Sequence, residues 1–219
     1  MKVFALPQVI CGIAFDIDNT LYRHEEYIRL QTDLLVARLA RERGEITEET
    51  RKLIDAYRDE QAAANDGRKP SLGNAFLHFG VPIHVSVRWR EEELVPERYL
   101  KPDAELADLL ARLGKCCGLV CVTNNPQSTG RRTLRALGVE GAFSAVVGLD
   151  DSMVSKPDER PFRRAAELLG LRPVEMVSIG DRYEVDLEPA LAIGMGAILV
   201  ESRADLFALP LKGIGSNEC

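Results

Sequence analysis

The chain has 219 residues, a net charge of −6, an apolar fraction of 46% and a charged fraction of 28%. This length allows one domain with an insertion or two small domains, and the composition is typical of a globular protein. The acidic balance argues against binding to a nucleic-acid polymer or an anionic membrane. The five cysteines form no CxxC pair, which favours reduced thiols in a cytoplasmic protein over a disulfide framework or a zinc site.

An apolar run over residues 9–15 predicts a buried parallel strand, and it ends in two carboxylates, Asp16 and Asp18. Residues i and i+2 of an extended segment point the same way. Ligands of open parallel sheets bind beyond the carboxyl ends of the strands. The pair could therefore face one ligand, although Asp, Asn and Thr after a strand are also typical of a turn or a helix N-cap. This stretch alone leaves both interpretations open.

A helical region follows, from residue 23 to residue 99. Apolar spacing and the positions of Gly and Pro predict helices over 24–43, 47–65, 71–79 and 84–95, with Thr47 as the N-cap of the second. No convincing strand interrupts the region. We therefore expect residues 1–22 and 100–219 to form one core domain and residues 23–99 to form an inserted helical domain.

Strands and helices alternate after residue 102. Helices are predicted over 103–113, 127–137, 161–169 and 188–193, and strands over 118–122, 145–148, 176–179 and 197–200. Such alternation implies a parallel sheet with helices on both faces. The predicted fold class is therefore α/β, a Rossmann-like parallel sheet core with an inserted α-helical domain. The tail, 211–219, has little to hold it and is expected to be mobile.

Polar residues follow each of the first four core strands, and a parallel sheet would gather them on one edge. In chain order they are Asp16, Asp18, Thr123, Asn124, Asp150, Asp151, Ser155, Lys156, Asp181 and Asp186. Each has an ordinary structural explanation when taken alone: Lys156 could be a surface lysine, Thr123 an N-cap and Asp186 a cap of the following helix. Their order and their regular placement at strand ends together favour a common site.

The chemistry of such a site follows from the residue types. Several carboxylates without His or Cys favour a hard cation, Mg²⁺ rather than Zn²⁺. A Thr hydroxyl, backbone N–H groups at a helix start and one Lys would form an anion site beside it. A cation next to an anion site suits a phosphoryl group, and a carboxylate nucleophile that forms an aspartyl-phosphate needs this neutralisation.

These motifs resemble those of the haloacid dehalogenase (HAD) superfamily of hydrolases. The family patterns are DxDxT after a strand at 15–20, a strand ending in Thr at 122–124, Lys-Pro-Asp at 156–158, and GDxxxxD at 180–186. They occur in the family's order and cover most of the chain. The helical insertion is similar to the cap of C1-capped HAD proteins. Asn19 stands where many members carry Gly, a variant compatible with a nucleotidase-like branch.

The resemblance implies roles for the acidic residues. Asp16 would be the nucleophile that attacks phosphorus. Asp18 would be the general acid for the leaving alcohol and then the base for the hydrolytic water. Asp16, the Asp18 backbone carbonyl and Asp181 would hold Mg²⁺, with Asp186 supporting the metal shell.

The resemblance also implies roles for the remaining site residues. Thr123 and the N–H of Asn124 would bind the phosphoryl oxygens. Lys156 would balance charge and position Asp16. The cap would close over the site and exclude water during the first step.

Asp18 favours phosphomonoester hydrolysis over dehalogenation, because halide leaves without a proton whereas an alkoxide needs an acid. The expected partner is a small phosphorylated metabolite, such as a nucleotide or a sugar phosphate. A phosphosugar mutase uses the same two acids and remains the closest alternative. A phosphonatase would need a Schiff-base lysine in the cap, and neither Lys52 nor Lys69 has an apolar setting to activate it. A non-catalytic HAD-fold binding protein is less favoured, because it would not need both acids.

Substrate specificity would come from residues of the helical insertion that face the core. By residue type alone, the candidates are Arg23, His24, Tyr27, Asn74, His78 and Trp89. The sequence predicts no particular oligomeric state and no membrane association, since no apolar stretch approaches the length of a membrane span.

Overall fold

A six-stranded sheet forms the centre of the computed structural model, which describes residues 1–209. The strands are β1 (Lys2–Ala5), β2 (Gly12–Phe15), β3 (Gly118–Val122), β4 (Ala145–Val147), β5 (Met176–Gly180) and β6 (Gly196–Leu199). Their spatial order is β1-β6-β5-β2-β3-β4. The first predicted strand, β2, therefore lies inside the sheet, between β3 and β5.

Helices cover this sheet and fill the insertion between β2 and β3. The α-helices of the described residues are α1 (Glu25–Arg43), α2 (Thr47–Ala64), α3 (Leu72–His78), α4 (Ile83–Glu93), α5 (Ala104–Leu113), α6 (Gln127–Ala136), α7 (Leu149–Ser152), α8 (Arg160–Leu169), α9 (Glu188–Ala192) and α10 (Arg203–Phe207). A π-helical turn, Tyr183–Leu187, leads into α9. Among residues 1–209, no helix combines the length and apolarity needed to cross a membrane.

The α/β prediction is confirmed, with one correction to the sheet. The strands from β2 to β6 pair in parallel, whereas β1 pairs antiparallel with β6, so the sheet is mixed. The sequence reasoning missed β1 because all four of its residues are exposed, which leaves no alternation of buried and exposed positions. The predicted mobile tail lies outside the described residues.

Alternation along β2 sends side chains into two separate cores. Ile13 and Phe15 join a cluster built with residues of α5, α6 and α10. Ala14 joins a second cluster with residues of α8 and α9. Successive side chains of a strand point to opposite faces, so these two clusters show that helices cover both sides of the sheet, as predicted.

Helices of the insertion pack into a third cluster of their own. It contains Leu35, Val36, Leu39, Ile54, Ala75, Phe76, Val81 and Trp89. The expectation that Thr47 caps α2 was wrong by one residue: Ile46 is the N-cap, because its carbonyl already accepts the first helical bond from the N–H of Thr50 at 3.0 Å. The division of the chain into core and inserted domain stays a prediction.

Candidate active site

The carboxyl ends of β2, β3 and β5 lie side by side because these strands pair in parallel and in register. Phe15 pairs with Cys121 on one side and with Ile179 on the other. A predicted site residue follows each strand: Asp16 follows β2, Thr123 follows β3 and Asp181 follows β5. The structure therefore brings these side chains to one edge of the sheet.

Lys156 is the charge centre of this edge. Its side chain is only 1% exposed. Its Nζ donates to Oδ1 of Asp16 at 2.7 Å, to Oδ1 of Asp186 at 2.6 Å and to the carbonyl of Val122 at 2.8 Å. An ammonium group has three donors, and all three are used. Lys156 is therefore not a surface lysine, and it compensates two buried carboxylates at once.

The backbone of Lys156 is held by the side chain of Asn124. The Asn124 Oδ1 accepts from the Lys156 N–H at 2.7 Å, and the Asn124 Nδ2 donates to the Lys156 carbonyl at 3.3 Å. The hydroxyl of Thr123, a buried residue, accepts from the N–H of Asn125 at 3.1 Å. The loop after β3 thus fixes the lysine that neutralises the acids after β2 and β5.

Asp16 is held through both of its carboxylate oxygens. Lys156 binds Oδ1, and the Thr20 hydroxyl donates to Oδ2 at 3.1 Å. The turn that returns Thr20 to Asp16 passes through Asn19 at φ +62°. Glycine and asparagine adopt this left-handed conformation most readily, which explains why Asn can replace Gly here. Burial raises the pKa of Asp16 to about 7, against the opposing charge of Lys156.

Three carboxylates meet at this edge. One ligand oxygen from each of Asp16, Asp181 and Asp186 lies within 4.8 Å of the other two. The Asp181 Oδ1 is buried without a hydrogen-bond partner, and burial raises the pKa of Asp181. A buried carboxylate oxygen beside two other acids calls for a proton or a cation. All-oxygen donors of this kind fit a hard divalent ion.

Gly180 is needed for Asp186 to reach the cluster. A Cβ at position 180 would lie 2.3 Å from the Cβ of Asp186, closer than two carbon atoms can approach. The Asp186 Oδ2 accepts from the N–H of Arg182 at 3.1 Å. The side chain therefore turns back toward the strand end, and the N-cap of α9 is Leu187, which makes no side-chain cap.

Asp18 lies in a second network, on the side of the helical insertion. Its Oδ1 accepts from the Tyr22 hydroxyl and from Nε2 of Gln31 at 3.0 Å, and its Oδ2 accepts from Nδ2 of Asn125 at 3.0 Å. Burial and the adjacent carboxylate raise the pKa of Tyr22, so its hydroxyl stays a neutral donor. The sequence analysis missed Gln31 and Asn125.

A signal for Gln31 was available in the sequence. It lies three residues after Ile28 and four before Leu35, at the apolar spacing of α1. A polar residue at such a position needs a partner where the helix packs. For Asn125, the only signal was its position directly after Thr123 and Asn124.

Some of the residues expected at this edge serve another purpose. Asp150 and Asp151 lie in α7 rather than in a plain loop. Their carboxylates accept from the backbone N–H of Gln127 and of Gly148, each at 2.7 Å. They therefore satisfy helix-start N–H groups. Position at a strand end alone did not separate these caps from the clustered acids.

A cavity of about 540 Å³ lies between the strand ends and the helical insertion. Its walls include Asp18, Asn19, Asn124, Asn125, Asp181 and Arg182 from the core and Ile28, Gln31, Thr32, Arg58, Gly73 and Arg90 from the insertion. None of the six specificity candidates chosen by residue type is among its lining residues. Trp89 packs on Phe76 instead, and Tyr27 stacks on Tyr99. Residue type did not indicate which way these side chains point.

The family model of haloacid dehalogenase-like hydrolases matches residues 10–194. The chain therefore belongs to this family of hydrolases. It is 28% identical to phosphoglycolate phosphatase of Escherichia coli over 209 residues, 86% of this chain and 80% of that protein. It is 27% identical to phosphate metabolism protein 8 of Saccharomyces cerevisiae over 198 residues, 84% of this chain, and it spans 60% of the yeast protein's length.

Solved structures share the fold. A HAD phosphatase from Thermococcus onnurineus matches with a TM-score of 0.57 and 24% identity, over 90% of this chain and 88% of that one. An L-2-haloacid dehalogenase from Xanthobacter autotrophicus matches with a TM-score of 0.54 and 20% identity, over 93% and 82%. The fold is therefore shared by a phosphatase and a dehalogenase, and it does not by itself distinguish the two reactions. The prediction of a HAD-superfamily phosphatase is confirmed by the family match and the phosphatase relatives; the C1-cap subgroup stays a prediction.

Proposed function

We propose that the protein is a Mg²⁺-dependent phosphomonoester hydrolase that acts through an aspartyl-phosphate on a small phosphorylated metabolite, such as a nucleotide or a sugar phosphate. The observation that carries the proposal is the pairing of Asp16 with Lys156 at 2.7 Å, beside the cavity that Asp18 lines. A nucleophile, its charge partner and an acid two residues away are the groups that phosphoryl transfer to a carboxylate requires.

In the first step, a carboxylate oxygen of Asp16 attacks phosphorus, and the bond from phosphorus to the leaving alcohol breaks. Asp18 donates its proton to the departing oxygen, so the alcohol leaves neutral. Thr20 and Lys156 hold the Asp16 carboxylate in a fixed orientation. Thr123 and the N–H of Asn124 bind the phosphoryl oxygens.

In the second step, water attacks the phosphorus of the aspartyl-phosphate. Asp18, now ionised, takes the proton of that water, and the bond between phosphorus and the Asp16 oxygen breaks to release inorganic phosphate. Asn125 and Gln31 keep the Asp18 carboxylate aimed into the cavity through hydrogen bonds of 3.0 Å each. Because the same group acts as acid and then as base, its position must stay constant through both steps.

Asp16, Asp181 and Asp186, with the backbone carbonyl of Asp18, would hold Mg²⁺. The ion supplies positive charge that offsets these acids and the oxygens of the transferring phosphoryl group. The Asp181 Oδ1, buried without a hydrogen-bond partner and only 3.6 Å from Nε of Arg182, is the observation that favours a cation here. Residues 23–99 would act as a cap that excludes water, over a core of residues 1–22 and 100–219.

A phosphosugar mutase remains the second candidate, because it would use the same two acids. The general acid itself argues against a dehalogenase. In the helical insertion, Lys69 pairs with Asp59 and Lys52 is exposed, so neither is desolvated as a Schiff-base lysine would be. We keep a cytoplasmic location as a prediction.

The test measures phosphate release from nucleoside monophosphates, sugar phosphates and an aryl phosphate, with and without Mg²⁺. Wild type is compared with Asp16→Asn, Asp18→Asn and the exposed control Asp55→Asn on α2. We expect Mg²⁺-dependent release that falls about a thousandfold or more in the first two variants and is unchanged in the control. Activity that survives Asp16→Asn would rule out the aspartyl-phosphate. Phosphate that moves between carbons of one sugar without release, followed by ³¹P NMR, would favour the mutase.

A further inference from the structure

Arg90 is a buried cation on the wall that α4 contributes to the active-site cavity. It is 5% exposed, and it lines the same cavity as Asp18 and Asn124. Its Nη1 donates to the carbonyl of Ser86 at 3.2 Å and to the Ser86 hydroxyl, one helical turn earlier. Across residues 1–209, these are the only hydrogen bonds that its guanidinium makes. The group is therefore fixed in place with donors left over.

This guanidinium has no acidic partner within residues 1–209. Within the described part of the chain, Arg90 forms no ion pair, whereas Arg68 on the same cavity pairs with Glu188 at 2.7 Å. Burial lowers the pKa of Arg90 to about 10, which still leaves it protonated at neutral pH. Buried charges are normally paired, because desolvation of an isolated charge is costly. An unpaired one beside a ligand cavity indicates that its partner comes with the ligand.

Among residues 1–209, the surroundings of Arg90 give it no other charged contact. The ring of Phe76 lies 6.0 Å from its Cζ, which is a weak interaction that an apolar side chain could replace by packing. Gly73 borders the group on another side, where a Cβ would lie 3.9 Å from Nη2. Packing alone therefore explains the aliphatic stem but not the charged end.

A second cation reinforces the charge of this wall. Arg58 lines the cavity, donates from Nε to the carbonyl of Pro70 at 3.0 Å, and also forms no ion pair within residues 1–209. The acids that line the cavity are Asp18 and Asp181 at the reaction end and the exposed Glu184. The wall formed by the helical insertion thus carries uncompensated positive charge.

We infer that Arg90 binds a second anionic group of the substrate, so that the preferred substrates are phosphomonoesters that carry a carboxylate or a second phosphate. This inference rests on the proposed phosphatase function. The oxyanion would take the guanidinium N–H groups that Ser86 leaves unused, in charge-assisted hydrogen bonds. Arg58 would add attraction at longer range. The reacting phosphoryl group would stay at Asp16.

The test uses chain-length series of three compound types: ω-carboxyalkyl phosphates, ω-hydroxyalkyl phosphates and alkanediol bisphosphates, the last corrected for their two equivalent ends. We measure kcat/KM for each with the Mg²⁺-loaded wild-type chain. At the best length, we expect the doubly anionic compound to exceed its hydroxyl counterpart about tenfold to a hundredfold. Comparison of the carboxylate and bisphosphate series shows which oxyanion Arg90 prefers.

The variants Arg90→Met and Arg90→Lys separate this contact from general attraction. Arg88→Met is the matched control, because it removes the same charge from a residue on the same helix whose side chain is 63% exposed. We expect the ratio of anionic to hydroxyl substrate to fall to within about twofold of one in Arg90→Met, to be intermediate in Arg90→Lys and to be retained in Arg88→Met. Thermal unfolding of each variant checks that it is folded.

Each outcome decides between distinct conclusions. A wild-type ratio of one or less at every length overturns the inference, whatever the variants do, while phosphate release leaves the proposed function in place. A high ratio that survives Arg90→Met overturns the assignment to Arg90. If Arg90→Met does not fold, a ratio unchanged in Arg90→Lys also overturns it and a reduced ratio supports it. Absence of phosphate release from every compound overturns the proposed function, and the inference with it.

Discussion

Two buried cations lie at or near the active-site cavity, and their surroundings differ. Arg90 lines the cavity, whereas Lys156 is joined through its backbone to Asn124, which lines it. Lys156, on the sheet side, contacts the carboxylates of Asp16 and Asp186. All three N–H donors of its ammonium group are used in hydrogen bonds within the protein. Arg90, on the side of the helical insertion, makes its hydrogen bonds within residues 1–209 only to the hydroxyl and carbonyl of Ser86. The sheet side, where we propose that the chemistry occurs, has its charges compensated within the protein, so its arrangement is in place before substrate binds. The opposite end keeps an unmatched charge, which suits recognition of a ligand that brings the opposite sign.

The two cations also differ in how far their partners lie along the chain. Lys156 and Asp16 are separated by 140 positions, so their contact forms only when the sheet is assembled. Arg90 and Ser86 are four positions apart on one helix. Loss of the Lys156 contact should therefore weaken the whole fold, whereas loss of the Arg90 contact should mainly affect the cavity. The same kind of substitution at each position tests this contrast.

The largest effect is expected for Lys156→Met. It leaves Asp16 and Asp186 buried without their cation, and breaking a buried pair in this way costs about 3–5 kcal/mol of unfolding free energy. Urea-induced unfolding without Mg²⁺ measures the loss, and Lys52→Met, at an exposed position of α2, is the control. A loss below about 1 kcal/mol would show that the two acids find other partners, and the comparison would then fail.

An intermediate effect of opposite sign is expected for Asp181→Asn without metal. It removes a charge that burial disfavours, and should raise the unfolding free energy and, with it, the melting temperature. Since the pKa of Asp181 is raised in the folded protein, wild type gains stability relative to the variant as the pH falls from neutral toward the unfolded-state pKa. The advantage of the variant should therefore shrink on acidification.

Addition of Mg²⁺ should reverse the order of stability of wild type and Asp181→Asn. A bound ion stabilises the folded state by mass action, so the melting temperature of wild type should rise with Mg²⁺ and that of Asp181→Asn should rise less. Asp55→Asn should respond like wild type. Equal Mg²⁺-induced shifts in wild type and Asp181→Asn would remove Asp181 from the ligand set.

The smallest effect is expected for Arg90→Met. Replacing an unpaired buried charge with an apolar side chain of similar length relieves desolvation, which offsets the lost bonds to Ser86. The unfolding free energy should change by less than about 1 kcal/mol, measured by urea unfolding beside Arg88→Met. A loss as large as that of Lys156→Met would mean that Arg90 stabilises the folded state, and the two cations would then not differ in this respect.

Local patterns in the sequence determined most of the helices and strands. They also indicated which polar residues lie at the carboxyl ends of the strands. Apolar runs that end in Asp16, Thr123 and Asp181 predicted both the strands and their polar ends, because a parallel sheet brings the ends of its strands together. The exposed strand β1 was missed, since a strand at the edge of a sheet with every residue exposed carries no hydrophobic alternation. Thr47 was misplaced by one residue because side-chain type does not fix where a helix begins.

Only the tertiary structure decided which polar groups are matched and which are not. The sequence placed Asp150 and Lys156 in the same segment, yet the first accepts from a helix-start N–H and the second joins the acids. It did not indicate that Arg90 lacks a counter-ion among residues 1–209, or that Trp89 packs on Phe76 rather than lining the cavity. Burial and pairing depend on contacts between segments far apart in the chain, and local patterns do not contain them. The order of motifs therefore supports the proposed chemistry, and packing determined the cavity wall that we propose selects the substrate.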